Sequence, residues 1–169
     1  MISVLQPTRS SSDSFKESMI SLKKFCSSIK QVEVLVKIDD DTSDAEYVQP
    51  ILDKLRFKYS ILSSPRGRGY LDLYKYYDDL AKMSHGSILW LFPDDVNIIE
   101  GDWVHHIMST RNLVEDNIYI SYAKFIGSIH KLKKYQGKKF RHGGNGCPII
   151  SRELYDKLGF ISKDDVACD

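Results

Sequence analysis

The sequence predicts an α/β fold, with a mostly parallel, Rossmann-like sheet flanked by helices in a single domain. Short apolar runs alternate four times with longer segments of helical spacing, an order that implies parallel strands joined by right-handed crossovers. The chain has 169 residues, 42% of them hydrophobic, which is enough for one domain with a substantial core. Polar loops follow each of the four apolar runs, as is typical of strand ends.

The first strand and helix are predicted between residues 2 and 29. "ISVLQ" (2–6) is an apolar run that ends at Pro7, which cannot donate a hydrogen bond to a sheet ladder. The segment after it offers serine and aspartate as helix caps. Its apolar residues then recur at helical intervals: Phe15, Met19, Leu22, Phe25 and Ile29. We therefore expect a strand, a loop and an amphipathic helix in this order.

Three further strands are predicted at "VEVLVKI" (32–38), "KYSIL" (58–62) and "ILWLF" (88–92). A helix is expected over 45–56, between the first two of these strands. Another is expected over 70–84, because "YLDLYKYYDDLAKMS" places its apolar residues at helical spacing. The glycine-rich "SPRGRG" (64–69) before it is predicted to be a loop.

Beyond Gly101 the pattern is looser. "DWVHHIMSTRNLV" (102–114) is typical of a helix, "NIYISYAKF" (117–125) of a strand, and "SRELYDKLG" (151–159) of a short helix capped by serine and ended by glycine. The basic run "KLKKYQGKKFRHGGNG" (131–146) predicts a charged loop. Its lysines would also suit an anionic acceptor, lipid headgroups or nucleic acid.

Composition argues against several classes of protein. The formal net charge is +1, so nucleic acid is not an expected partner. The three cysteines are widely spaced and odd in number, which favours a reducing compartment over a disulfide scaffold. The amino terminus lacks the pattern of a signal peptide, and no apolar stretch approaches the roughly 20 residues of a membrane-spanning helix. We expect a cytoplasmic protein, with peripheral membrane contact left open.

Paired carboxylates follow the fourth predicted strand. In an open parallel sheet, ligands bind outside the carboxyl ends of the strands, so the loops after all four strands should meet at one edge. Asp94 and Asp95 stand together in the fourth of these loops, and such an oxygen-rich pair suits Mg²⁺ or Mn²⁺. The alternative is that the two aspartates only end the strand and cap the following turn.

The other loops at this edge add further charges. "KIDDDTSD" sets four carboxylates directly after the second strand: Asp39, Asp40, Asp41 and Asp44. A carboxylate here can accept a hydrogen bond from a base N–H or a ribose hydroxyl, whereas Asp44 is better placed to cap the next helix. Arginines in the first and third loops would suit a diphosphate, although each alone is explained as well by a solvated side chain: Arg9, Arg66 and Arg68.

Three stretches together resemble the nucleotide-binding half of the family 2 glycosyltransferases, whose fold is called GT-A: "ISVLQPTR", "VEVLVKIDDDTSD" and "RGRGYLDLYKYYDDLAKMSHGSILWLFPDDV". In that family a first strand ends in a proline-threonine turn, a second in an Asp-Asp-Gly-Ser-Thr-Asp-like loop, and a fourth in an Asp-X-Asp metal motif. The resemblance covers 2–169 and is strongest before residue 104. It implies one GT-A-like domain over 1–169, with a nucleotide-sugar binding half at 1–103 and an acceptor-side half, complete or truncated, at 104–169.

The resemblance also implies site residues. Those expected to contact the nucleotide are Pro7, Thr8, Arg9, Asp39, Asp40, Arg66 and Asp94. Within this set, Pro7, Thr8 and Arg9 would border the nucleobase, and either Asp39 or Asp40 would bind the base or the ribose. Asp94 and Asp95 would hold the divalent metal, Mn²⁺ or Mg²⁺. The sequence departs from the family pattern at two positions, since Asp41 stands where glycine is usual and Phe92 where the first aspartate of Asp-X-Asp would be.

The acceptor-side half would supply the general base. An inverting transfer needs a carboxylate within hydrogen-bond reach of the acceptor hydroxyl. "CPIISRELYDKLGFISKDDVACD" resembles the family segment in which a strand and a short helix lead to an acidic loop. We rank Asp169 first, followed by Asp165 and Asp164; the alternatives are a solvated turn for the last two and a free terminal carboxylate for Asp169. In the basic run, His142 is implied as a diphosphate or metal contact.

The hypothesis is a metal-dependent, inverting glycosyltransferase that moves a sugar from a nucleotide diphosphate donor, first a UDP-sugar, to a glycan or other hydroxyl acceptor. A non-catalytic nucleotide-sugar binding domain is the main alternative, because Phe92 replaces a carboxylate. A nucleotidyltransferase uses a similar sheet and metal. It would usually carry a glycine-rich, lysine-bearing phosphate loop after the first strand, and "QPTRSSSDS" contains neither residue.

Overall fold

The computed structural model describes the backbone of residues 1–9, 13–41, 43–110, 118–120, 132–135, 138–141 and 147–158. The strands are β1 (Ile2–Pro7), β2 (Val32–Asp39), β3 (Lys58–Ser64), β4 (Ile88–Leu91), β5 (Ile118–Ile120), β6 (Leu132–Tyr135), β7 (Lys138–Arg141) and β8 (Pro148–Ser151). The α-helices are α1 (Asp13–Lys24), α2 (Asp44–Leu55), α3 (Leu73–Met83), α4 (Trp103–Thr110) and α5 (Arg152–Leu158). The predicted alternation of strands and helices in the first half is confirmed.

Six strands form one sheet in the order β3-β2-β1-β4-β8-β5. The first four are mutually parallel, and β8 and β5 complete the sheet with antiparallel pairing. The central strand β1 lies between β2 and β4, with Val4 opposite Val34 on one side and Trp90 on the other. The strand order therefore reverses at β1, and the predicted mostly parallel α/β sheet is confirmed.

Helices cover both faces of this sheet because its central strands are apolar on both sides. Alternate residues of β1, β2 and β4 face α1, α2 and α4, and this layer includes Val4, Val34, Val36, Trp90, Phe92, Phe15, Leu22, Leu52 and Trp103. The residues between them face α3 and α5, and this second layer includes Leu5, Leu35, Leu91, Tyr77, Leu80 and Tyr155. Each fully buried aliphatic side chain contributes about 1.5–3 kcal/mol.

The third predicted helix begins later than its apolar spacing indicates. A 3₁₀ turn occupies Gly69–Asp72, and α3 starts only at Leu73. Gly69 has a φ of 70°, a left-handed conformation that breaks the helical path. The Asp72 carboxylate accepts a hydrogen bond from the backbone N–H of Arg68 at 2.6 Å, which fixes this turn.

The second half of the chain agrees in part with expectation. Strand β5 lies within the predicted strand, and Ser151 caps α5 by accepting a hydrogen bond from the N–H of Leu154 at 3.1 Å. The basic run predicted as a loop instead contains the antiparallel pair β6 and β7, so that prediction is wrong over these strands.

Across the described residues, no helix combines the length and apolar character needed to cross a lipid bilayer. The division at residue 103 stays a prediction.

Candidate functional site

The loops after β1 and β4 meet at the carboxyl edge of the sheet, where the strand order reverses. The Thr8 hydroxyl donates a hydrogen bond to Oδ2 of Asp94 at 2.6 Å. Thr8 itself is buried, and its N–H donates to the carbonyl of Lys37 at 2.9 Å, which ties the loop to β2 as well. This is the position at which doubly wound folds bind ligands.

Asp94 and Asp95 lie in this loop in different environments. Burial raises the pKa of Asp94; the hydrogen bond from Thr8 opposes this effect, and the neighbouring charge of Asp95 adds to it. Asp95 is exposed. Gln6 of β1 supports the loop from below, since its side-chain amide donates to the carbonyl of Pro93 at 3.2 Å. The loop therefore presents one half-buried and one exposed carboxylate side by side.

A cluster of cations surrounds Asp39, the last residue of β2. The Asp39 carboxylate is fully buried, and its Oδ2 lies 3.5 Å from Nε of Arg9 and 3.3 Å from Nε of Arg66. Its other oxygen, Oδ1, pairs with Nζ of the buried Lys37. Nε of Arg66 also lies 3.2 Å from Asp41, the residue found where the family has glycine. Both arginines are about half exposed, so their guanidinium groups face solvent at the site.

The loop after β3 closes this side of the site. Arg9 donates from Nη2 to the carbonyl of Gly67 at 2.8 Å, which joins the first and third loops. A Cβ on Gly67 would lie 2.1 Å from the Tyr76 hydroxyl, so only glycine allows the loop to approach α3 this closely. Arg68 turns away to Asp72, with Nη2 2.9 Å from Oδ1. Of the two arginines in this loop, Arg66 is therefore the one at the site.

The remaining predicted residues are distributed as follows. Pro7 is half-buried at the end of β1, and Asp40 is exposed, with its N–H donating to the carbonyl of Ser64 at 3.1 Å. Asp165, Asp169 and His142 lie outside the described residues. The geometry thus brings Thr8, Arg9, Asp39, Arg66 and Asp94 together at one edge, with Pro7, Asp40 and Asp95 beside them.

Phe92 occupies the core. Its side chain is fully buried, and its ring centroid lies 4.7 Å from that of Trp90. The residue that replaces the first aspartate of the family motif therefore packs among α1 and α4 residues and offers no ligand atom.

Beneath the aspartate pair lie two residues that sequence reasoning did not select. Burial is the main cause that raises the pKa of Tyr77, and the nearby acidic groups of Cys147, Asp94 and Asp95 add to it. Burial, with the charge of Asp95, also raises the pKa of the Cys147 thiol to about 12, so the thiol is protonated and inert at neutral pH. Neither residue had a signal in its local sequence, because both reach the site through the packing of α3 and the segment before β8.

The chemistry of a divalent metal fits this loop in part. Among the described side chains, no group of three or more His, Cys, Asp or Glu is arranged to hold a metal ion. Mg²⁺ and similar ions often use only one or two carboxylates and complete their coordination with water and substrate phosphates. Asp94 and Asp95 supply that number of carboxylates, so they fit a metal that arrives with a phosphate-bearing ligand.

No family model matches the sequence, and a comparison with curated proteins finds no match. Among solved structures, the chain is similar to S. aureus TarS 1-349, with a TM-score of 0.74 and 14% identity over 96% of this chain and 50% of that one. The fold is of the GT-A type. TarS 1-349 is also known in complex with UDP and with UDP-GlcNAc.

Two other solved structures extend the comparison. The mannosyltransferase PcManGT from Pyrobaculum calidifontis, in complex with GDP-Man and Mn²⁺, has a TM-score of 0.71 at 12% identity over 96% of this chain and 48% of that one. 4-Diphosphocytidyl-2C-methyl-D-erythritolsynthase from Anaerococcus prevotii has a TM-score of 0.60 at 11% identity, covering 98% and 80%. At these identities the similarity shows the fold. The chain spans about half the length of TarS 1-349 and of the mannosyltransferase.

Proposed function

We propose that the protein binds a nucleoside diphosphate sugar at the carboxyl edge of its sheet and transfers the sugar, with inversion, to an acceptor hydroxyl, as a member of the family 2 glycosyltransferases. The observation that carries the proposal is the Thr8 to Asp94 hydrogen bond at the strand reversal, beside the buried Asp39 with its two half-exposed arginines. The GT-A fold supports it. A UDP-sugar is the first donor to test.

The nucleotide would lie across the loops after β1, β2 and β3. Asp39 offers carboxylate oxygens to the N–H of a base or to ribose hydroxyls, with Asp40 as the exposed alternative. Pro7, Thr8 and Arg9 would border the base. Arg9 and Arg66 keep guanidinium donors at the solvent side, where they would meet the base or the diphosphate.

The diphosphate end would lie over the fourth loop. Asp94 and Asp95 would hold Mn²⁺ or Mg²⁺ there, with His142 proposed as a further contact. When bound, such an ion neutralises negative charge on a diphosphate leaving group. Asp94 then has two tasks, because it also accepts the hydrogen bond that orders the first loop.

The transfer itself needs a base on the acceptor side. We propose Asp169, with Asp165 as the second candidate, as the carboxylate that takes the proton of the acceptor hydroxyl. The hydroxyl oxygen would form a bond to the anomeric carbon as the bond to the diphosphate oxygen breaks. The acceptor would be a glycan or another hydroxyl compound bound by the half at 104–169.

Calorimetry with UDP, with and without Mn²⁺, tests the nucleotide and metal assignment. Wild type should bind UDP more tightly with Mn²⁺ than without it. In Asp94→Ala the affinity for UDP in the presence of Mn²⁺ should fall about tenfold or more, since one of the two carboxylates that hold the metal is gone. Asp156→Ala, which removes an exposed carboxylate from α5, is the matched control and should bind as wild type does. Manganese-enhanced binding that survives Asp94→Ala would refute the metal assignment.

A non-catalytic nucleotide-sugar binding domain is the second candidate. The burial of Phe92 in the core favours it, because the site then lacks the carboxylate that the family motif would place there. Incubation with Mn²⁺ and a panel of nucleotide sugars separates the two functions. Donor hydrolysis or transfer supports the enzyme, whereas binding without turnover supports the binding domain. Adding nucleoside triphosphates and sugar phosphates to the same panel tests the less favoured nucleotidyltransferase.

A further inference from the structure

A lysine lies inside the sheet directly beneath the proposed nucleotide site. Lys37 is the sixth residue of β2, and only 2% of its side chain is exposed. Lysine is almost never fully buried unless its charge is paired, because desolvating an ammonium group costs several kcal/mol. A buried lysine at this place therefore needs an explanation that the core alone does not give.

The surroundings of Lys37 direct its charge toward Asp39. Its Nζ pairs with Oδ1 of Asp39, two residues along the same face of β2. The ammonium also lies 4.1 Å from the ring centroid of Tyr76, so α3 covers it with an aromatic face. Lys37 thus approaches the carboxylate from the core, whereas Arg9 and Arg66 approach Oδ2 from the solvent side.

This division gives the two arginines freedom that they would otherwise lack. A fully buried carboxylate requires a partner at all times. Since Lys37 is itself buried and cannot leave, it keeps Asp39 paired when a ligand draws the exposed guanidinium groups away. Oδ2 can then turn from an ion-pair partner into a hydrogen-bond acceptor for the ligand.

The acceptor character of Oδ2 would decide which ligands can use that oxygen. A carboxylate in an ion pair accepts hydrogen bonds and donates none. With Lys37 on Oδ1, the carboxylate is held in place and Oδ2 remains the oxygen on the solvent side, where the ligand would lie. Uracil and guanine present a ring N–H that can donate a hydrogen bond to a carboxylate. Cytosine and adenine present an unprotonated ring nitrogen at the equivalent position, and this acceptor would be repelled by the carboxylate oxygen.

We propose that Lys37 is a positioning residue for base selectivity: by holding Asp39 as an acceptor, it restricts the site to nucleotides whose base carries a ring N–H. The inference rests on the proposed function, because it requires that a nucleoside diphosphate binds beside Asp39. It adds a residue and a selection rule to that function.

The test compares UDP and CDP by calorimetry in Lys37→Met, Lys37→Arg and wild type. Wild type should prefer UDP by about 100-fold, and Lys37→Met should reduce the preference to about tenfold or less, because the carboxylate loses the buried ammonium that holds Oδ1 and no longer presents Oδ2 to the base in a fixed position. Lys37→Arg keeps the charge and should keep most of the preference. Lys58→Met is the matched control, since it removes an exposed lysine of the neighbouring strand that lies 3.7 Å from Glu33, at the other end of β2, and should leave the ratio unchanged.

A ratio of affinities separates this role from a structural one. If Lys37→Met only loosens the fold, it weakens the binding of UDP and of CDP by the same factor. That result would overturn the inference. Lys37→Met leaves the buried charge of Asp39 to the two half-exposed arginines alone, which lowers stability. The double variant Lys37→Met with Asp39→Asn therefore replaces the buried pair by neutral groups. It should show the same UDP to CDP ratio as Asp39→Asn alone, since Lys37 acts through Asp39; a further change in the ratio would overturn the proposal.

The experiment also tells the inference apart from the function beneath it. With GDP added as a third ligand, a wild type that binds none of UDP, CDP and GDP refutes the proposed function. A wild type that prefers UDP, together with a Lys37→Met protein of equal preference, refutes only the role of Lys37.

Discussion

Strand β2 carries a buried carboxylate near each end, Glu33 at its start and Asp39 at its last residue, and the two are held in opposite ways. Glu33 accepts hydrogen bonds from the Ser3 hydroxyl at 2.7 Å and from the backbone N–H groups of His85 at 2.5 Å and Gly86 at 3.0 Å. These three donors, a short side chain and the main chain itself, all bind Oε1 and can move only if the sheet moves. The exposed side chains of His85 and Lys58 approach only the other oxygen, Oε2, at 3.4 and 3.7 Å.

Asp39 instead faces long cationic side chains at the carboxyl edge. Two of these, Arg9 and Arg66, are about half exposed and can reorient without moving the backbone. Glu33 is therefore a carboxylate that stabilises the fold, whereas Asp39 is one whose exposed partners can be replaced by a ligand. A glycine linked to each carboxylate should reveal the same difference. Gly86 donates its N–H to Glu33 and packs largely against backbone, whereas the carbonyl of Gly67 binds Arg9 and its Cα faces side chains.

Gly86→Ala should have the largest effect on stability. The added Cβ would lie 2.3 Å from the Ser3 hydroxyl oxygen, 2.8 Å from the Ser3 nitrogen and 2.9 Å from the Met1 carbonyl oxygen. Backbone atoms cannot yield, so the loop must shift and its hydrogen bonds to Ser3 and Glu33 weaken. We expect a loss of about 3 kcal/mol or more in the free energy of unfolding, measured by urea denaturation.

Nucleotide binding provides the control for that variant. At temperatures where Gly86→Ala remains folded, its affinity for UDP should match that of wild type, because the substitution lies at the opposite edge of the sheet. A stability within about 0.5 kcal/mol of wild type would contradict the view that this edge is rigid.

Gly67→Ala should have a smaller effect that a second substitution can reverse. Its Cβ would lie 2.1 Å from the Tyr76 hydroxyl oxygen, an atom at the end of a side chain. We expect a loss of about 1–2 kcal/mol and weaker UDP binding, because the loop carries Arg66 and the carbonyl that binds Arg9. Adding Tyr76→Phe removes the obstructing oxygen and should restore most of the lost stability and most of the lost UDP affinity.

Tyr76→Phe alone is informative at the same time. The Tyr76 hydroxyl is buried and has no hydrogen-bond partner among the described residues, so its removal should leave stability unchanged or raise it by up to about 1 kcal/mol. If the double variant were no better than Gly67→Ala, the nearby Asp72 carboxylate would be the real obstruction, at 2.7 Å from the added atom.

The sequence allowed the parallel half of the fold to be predicted because four apolar runs and their helices follow one another without interruption. It also predicted which loops would meet, since the carboxyl ends of parallel strands share an edge. It could not decide between Asp39 and Asp40. Successive residues point to opposite faces, so the choice depends on β2 running through Asp39, a boundary that no local pattern marks.

The charges inside β2 were beyond prediction for a different reason. "VEVLVKI" has the apolar content of a buried strand, and the whole of β2 is indeed buried, Glu33 and Lys37 included. Other elements supply Ser3 and Gly86 as partners for Glu33 and the Tyr76 ring that covers Lys37, although the ion-pair partner of Lys37, Asp39, lies on β2 itself. Such contacts depend on sheet register and helix packing. The strand pair β6 and β7 was missed similarly, because its lysine-rich sequence resembles a solvated loop.

The smallest expected effect is the dependence of stability on pH through Glu33. Burial raises the pKa of Glu33, but the hydrogen bonds from Ser3, His85 and Gly86 outweigh it, so the net pKa lies below the ordinary value of 4.5. The folded protein therefore binds this proton less readily than the unfolded chain. The resulting stabilisation is present above the unfolded pKa and is lost as pH falls through the folded pKa.

Glu33→Gln should remove this contribution while keeping an oxygen that can accept hydrogen bonds. Urea denaturation at a series of pH values should show wild type losing its advantage over the variant as pH falls below about 4.5, where the unfolded carboxylate begins to bind its proton. Glu153→Gln is the matched control: its carboxylate is exposed and pairs with Lys157, so high salt should erase its pH dependence but leave that of Glu33. N–H and O–H donors bind the ionised carboxylate of Glu33 more strongly than its protonated form. If the advantage of wild type over Glu33→Gln stayed constant down to low pH, the hydrogen bonds would not favour the ionised form, and this explanation would be wrong.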